Sequence, residues 1–128
     1  MSDPNNALTR VAYAEEDLAI AKSALRRKKP ITTGAYFHTQ QCAEKYLKAA
    51  LISNGKDFPK THDLLALNTL CEQSGIFLGL SLAQLSELSA YASRARYPGD
   101  EPTVDEARKA VDIAKTIRRF VRKWLGIK

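Results

Sequence analysis

Between Val104 and Trp124 an apolar side chain returns every third or fourth residue: Val104, Ala107, Val111, Ala114, Ile117, Val121 and Trp124. A strand shows alternate residues to one face, whereas a helix shows every third or fourth, so this spacing describes a helix with one oily side. Such a side must be covered by another element. Thr103 followed by Glu106 supplies a capping box at the start of the run. The same rhythm passes through Ala7, Val11, Ala14, Leu18, Ala21 and Leu25, with Glu15, Glu16, Asp17 and Lys22 off the stripe. This first helix is expected to end in the solvated run Arg26-Arg27-Lys28-Lys29 before Pro30, because cations suit a helix C-terminus and proline restricts its predecessor.

Three further helices lie between these two. Thr32 or Thr33 is expected to cap the second, which carries Tyr36, Ala43, Leu47, Ala50 and Leu51 and stops at Asn54-Gly55. A shorter third helix, with apolar positions Leu64, Leu65, Leu67 and Leu70, is expected to begin at Thr61 and end at Ser74-Gly75. Ser81 with Gln84 is a second capping box, ahead of Leu82, Leu85, Leu88 and Ala92, and predicts a fourth helix up to about Ala95, broken by Tyr97-Pro98-Gly99-Asp100. Five helices without an alternating pattern long enough for a sheet predict an all-α fold, an up-and-down antiparallel bundle. At 128 residues, with 45% hydrophobic, the chain is one domain, residues 1–128.

Composition removes several functional classes. The two cysteines, Cys42 and Cys71, have neither CxxC neighbours nor histidine at zinc spacing, which excludes a disulfide scaffold and a zinc finger. No apolar run reaches the roughly 18 residues of a membrane span, and the polar start Met1 to Asn6 lacks a leader pattern, so a cytoplasmic protein is expected. There is no GxxxxGK[ST], GxGxxG or HExxH, and no Glu-x-x-His pair, so no cofactor or metal is expected. The net charge of +6 favours anionic partners.

On a helical wheel of the second helix, Gln41, Lys45 and Lys48 all fall on the same side as His38, one polar stripe opposite Tyr36, Ala43 and Leu47. Two lysines, an amide and an imidazole on that stripe are good donors for phosphates and base edges, and the stripe is expected to face solvent, a cleft or a partner chain. Gln40 falls instead in the middle of the apolar side and is expected to be hydrogen-bonded across the bundle or at a helix interface. Cys42, one turn after His38, reads as a small core residue. Arg94, Arg96 and Tyr97 place two guanidinium groups and a ring ahead of a rigid turn, a group suited to clamping phosphate and stacking a base. The final helix concentrates cations, with Arg108, Lys115, Arg118, Arg119, Arg122 and Lys123 against Asp105, Glu106 and Asp112, and such a helix can track a nucleic-acid backbone or meet an acidic partner.

The strings from Tyr36 to Ala49, from Thr61 to Leu64 and from Ala95 to Pro98 resemble, in order and spacing, the HEPN domain family, across nearly the whole chain. The resemblance implies an up-and-down α-helical bundle that forms homodimers, in a small prokaryotic protein paired with a minimal nucleotidyltransferase in a toxin–antitoxin-like couple. By that likeness, His38, Gln41, Lys45 and Lys48 with Arg94, Arg96 and Tyr97 would line a groove for nucleotide or RNA. Many HEPN toxins are metal-independent ribonucleases that use an arginine four to six residues from a histidine. Here Ile31, Thr32 and Thr33 precede His38, and Gly55, Lys56 and Asp57 precede His62, so the motif is absent. A non-catalytic binding role is therefore the expectation, and the alternative is a ribonuclease with a rearranged site that pairs His38 of one chain with Arg96 of another.

Overall fold

In a computed structural model the described residues form five helices: α1 (Ala7–Arg26), α2 (Thr32–Ser53), α3 (Leu64–Gln73), α4 (Leu82–Arg94) and α5 (Val104–Trp124). The structure describes the backbone of residues 6–94 and 99–128, and side chains outside 91–98 within those ranges. Among the described residues there is no strand, so the fold is the expected all-α bundle.

Helix α2 is its axis. It packs against α1, α3, α4 and α5, and this position explains its burial. Ala35, Tyr36, Cys42, Ala43, Tyr46, Leu47, Ala49, Ala50 and Leu51 are all withdrawn from water on that one helix. Small alanines let neighbouring backbones approach, while Tyr36, Tyr46 and the leucines fill the space between them. Leu18 of α1, Leu67 of α3, Leu88 of α4 and Ile117 of α5 join the same core.

The helix ends follow local chemistry. Both predicted capping boxes form: the Gln84 N–H donates to Ser81 Oγ at 3.0 Å and the Glu106 N–H to Thr103 Oγ1 at 3.1 Å, with the return bonds at 3.0 and 2.9 Å. Past α3, Gly75 adopts φ 82°, which lets the Ile76 N–H reach the Cys71 carbonyl at 2.8 Å and the Gly75 N–H the Glu72 carbonyl at 3.0 Å. This closes a Schellman motif and buries Ile76 behind the helix it terminates.

Four expectations are corrected. Neither Thr32 nor Thr33 caps α2; Ile31 holds that place with no side-chain bond, and both threonines are inside the first turn. Helix α3 begins after Asp63 instead of at Thr61, because the Asp63 carboxylate accepts from the Leu65 and Ala66 amides. Leu82 is 68% exposed, since it lies in the first turn of α4 beyond the core, and Trp124, in phase with the apolar stripe of α5, remains 42% exposed and stacks on Phe120. Arg94 closes α4, while Ala95, Arg96, Tyr97 and Pro98 lie outside the described residues, as does the side chain of Arg94.

Candidate nucleic-acid interface

The polar stripe of α2 exists, but it faces α1. Asp17, which is off the apolar stripe of α1, is buried because α2 brings two polar groups across to it: His38 Nδ1 lies 2.8 Å from Asp17 Oδ1, and Lys45 Nζ donates to Asp17 Oδ2. Lys45 also rests near the Tyr13 ring. Nearer the C-terminal end of α2 the arrangement recurs. Lys48 Nζ donates to Glu44 Oε2 at 3.1 Å, and His62, from the loop before α3, shares a 2.8 Å hydrogen bond with Glu44 Oε1. Each carboxylate thus sits between one lysine and one histidine, which neutralises a buried charge that would otherwise be costly.

The stripe expected to face solvent, a cleft or a partner chain does so only in part, and Lys48 is the member that departs from it. Lys48 is buried, closed in by Phe58, over whose ring both Lys48 and Arg10 lie at 5.5 Å. His38 and Lys45 are half-buried and spend their polar heads on Asp17. Gln41 is half-buried and its amide has no partner among the described residues. The physical cause is the central position of α2: a helix packed on several sides keeps no fully wet face.

Two other readings hold. Gln40 Nε2 donates to the Leu88 carbonyl of α4 at 2.5 Å, the cross-bundle bond that its place on the apolar side required. Cys42 is wholly buried, and burial, reinforced by the charges of Glu15 and Asp17, pushes its thiol up to about 12, the opposite of an activated nucleophile.

The cations that reach solvent gather elsewhere, between α1 and α5. These helices run antiparallel, so the start of one lies beside the end of the other. Arg118 grips Glu15 with two nitrogens, Nε at 2.8 Å from Oε2 and Nη2 at 2.8 Å from Oε1. The Tyr46 hydroxyl donates to the same carboxylate at 2.8 Å, and Arg122 Nη1 stands 3.6 Å from it. The Arg118 hydrogen bond holds the Glu15 carboxyl below its ordinary range, and burial pushes the Tyr46 phenol up to about 12, so Tyr46 stays a donor. Beside this clamp opens a groove of about 430 Å³ lined by Glu15, Leu18, Ala19, Lys22, Arg26, Lys115, Arg118 and Arg119. Five of its eight lining residues are cationic and one is acidic, and that one is already saturated by Arg118 and Tyr46. The exposed cations Arg27, Lys28 and Lys29 continue the rim beyond α1.

The basic runs on each helix are legible separately in the sequence, but their convergence is not, because nothing local states which helix α1 will face. Among the described residues no group of three or more His, Cys, Asp or Glu is placed to hold a metal ion, and no helix is long and apolar enough to cross a membrane.

The HEPN domain matches over residues 8–124, from the first turn of α1 to the last residue of α5. The chain belongs to the HEPN domain family. No curated protein and no solved structure matches it.

Proposed function

We propose that this HEPN protein is a non-catalytic nucleotide- or RNA-binding subunit and serves as the partner of a minimal nucleotidyltransferase, assembled as a homodimer. The observation that carries the reading is the face formed by the end of α1 and the middle of α5. There Lys22, Arg26 and Lys115 make no ion pair among the described residues, while the one acid beside them is consumed. Unpaired cations crowded at this density repel one another, and a polyanion relieves them while its own condensed counterions are released to solvent. Gln41, whose amide has no partner among the described residues, and the half-buried His38 and Lys45 are secondary contacts on the α1–α2 seam in this reading, from which Lys48 is withdrawn; Arg94, Arg96 and Tyr97 are proposed as further nucleotide contacts on the sequence pattern alone.

The test is binding of a fluorescent single-stranded RNA followed by anisotropy across a salt series. If three to five phosphates are neutralised, log K falls against log salt with a slope of roughly −2 to −3.5. A flat dependence, or no binding at low salt, removes the nucleic-acid reading. Sedimentation in the same buffer is expected to give a mass near twice 14.2 kDa, and a strict monomer at micromolar concentration removes the dimer. Co-expression with a minimal nucleotidyltransferase is expected to yield a complex that survives gel filtration, and separate elution of the two proteins removes the partnership.

A further inference from the structure

The α1–α5 groove has a charge density that an extended nucleic-acid backbone does not match. Lys22 and Arg26 are four residues apart on α1, and Lys115 and Arg119 four residues apart on α5, so each pair spans one helical turn, about 6 Å of axis. All four line one groove together with Arg118. An RNA strand crossing so short a distance brings only one or two single-charged phosphates. A triphosphate brings up to four charges into the same length. Like-charged pairs one turn apart on a helix are unfavourable in isolation, and two such pairs facing across a groove compound the repulsion. A compact, highly charged ligand cancels more of it in that length than a strand of single-charged phosphates does.

The remaining lining fits the same ligand. Arg118 commits Nε and Nη2 to Glu15, which fixes the plane of its guanidinium and leaves Nη1 without a partner among the described residues. A fixed guanidinium with a free terminal nitrogen is a prepared donor for a phosphate oxygen. Leu18 and Ala19 form the apolar floor, and the volume of about 430 Å³ is within the range of small-ligand sites, about 300–1,000 Å³.

We infer that this groove binds the polyphosphate chain of a nucleotide, whether of a free nucleoside triphosphate or of the 5′ end of an RNA. The inference rests on the nucleotide- or RNA-binding reading and adds to it the part of the ligand that this groove selects. The ligand chemistry is shared by the two sources, and two arms of one experiment separate them. In the first, ATP is titrated against AMP; in the second, a short RNA bearing a 5′-triphosphate is titrated against the same RNA with a 5′-hydroxyl. At least one triphosphate is expected to bind tenfold or more tightly than its counterpart. In the variant Lys115→Gln/Arg119→Gln, with unchanged helical circular dichroism, that preference is expected to fall to under threefold.

Binding of the 5′-hydroxyl RNA, which keeps Lys22, Arg26 and the outer cations Arg27, Lys28 and Lys29, is expected to weaken in the same variant by a smaller factor than binding of the triphosphate. Equal affinity for triphosphate and hydroxyl ends, with the salt-dependent RNA binding intact, overturns the groove assignment and leaves the broader reading standing. A triphosphate preference that the double substitution does not touch also overturns it. Absence of all binding overturns both.

Discussion

Lys48 Nζ lies 3.1 Å from Glu44 Oε2, one turn earlier on α2, and both side chains are more than nine-tenths withdrawn from water. Breaking a wholly buried ion pair costs roughly 3–5 kcal/mol. His62 still reaches Glu44 from its other side, so Lys48→Met is expected to destabilise the protein by less, about 2–3 kcal/mol in urea unfolding. The double variant Glu44→Leu/Lys48→Met removes both charges and is expected to recover at least half of that loss. A double variant less stable than the single one contradicts this account of the pair.

The two histidines differ in the same way. The His38 side chain is 29% exposed and bound to Asp17, whereas that of His62 is 84% exposed and bound to Glu44. Both hold a buried carboxylate, but water can replace His62 far more readily. His38→Ala is expected to cost about 1–2 kcal/mol, and His62→Ala under about 0.5 kcal/mol. Equal losses in thermal melts exclude the difference in solvent replacement as the controlling factor.

These pairs also show what the sequence does and does not disclose. The period of the apolar residues reveals that there are five helices, and the Ser81–Gln84 and Thr103–Glu106 boxes reveal where two of them start, because each is a property of a few neighbouring residues. The family strings around Tyr36–Ala49 add that the helices make a HEPN bundle. Burial of Asp17, Glu44 and Lys48 is a property of packing. On a helical wheel Lys48 belongs to the wet side of α2, yet it is buried, with Phe58 from the following loop against it. The groove between α1 and α5 was illegible for the same reason: Lys22 and Lys115 are 93 positions apart, and no local pattern joins them.

The Glu15 clamp makes stability depend on acid. The folded state holds this carboxyl below its ordinary value of 4.5, chiefly through Arg118, so the unfolded chain takes up its proton first as pH falls. Stability from Glu15 is present above the ordinary value and is lost as pH drops through the lower folded one. The melting temperature is therefore expected to fall as pH goes from about 5 toward 3, and to fall less steeply in Glu15→Gln. An identical pH profile for the two proteins means that the clamp does not contribute.

Gly75 sits at φ 82° and ends α3, with open space where a side chain would project. Gly75→Ala therefore meets no clash and isolates the cost of the left-handed backbone, expected to be about 1 kcal/mol. The same substitution at Gly34, inside α2 where φ is ordinary, meets Ile31 Cγ2 at 3.3 Å, a contact that an exposed side chain relieves by turning. It is expected to be neutral or stabilising by up to about 1 kcal/mol, because alanine also restricts the unfolded chain. Similar destabilisation at both positions contradicts the conformational argument.

Cys42 and Cys71 are both free and buried, and burial pushes their thiols up to about 12 and about 11. Only a thiolate attacks an alkylating reagent, and at pH 8 a thiol with so high a value is ionised about one part in a thousand or less. Access is limited as well, since Cys42 lies under α1 and Cys71 behind α2, where its Sγ is 3.9 Å from the Leu47 carbonyl. Native protein treated with iodoacetamide at pH 8 is expected to remain unmodified over a time in which the urea-unfolded chain is labelled at both positions, as read by intact mass. Labelling of the native protein at one site would locate a local opening: modification of Cys71 alone points to α3 lifting from α2, whereas modification of Cys42 requires the α1–α2 seam, and with it the Asp17 cluster, to part.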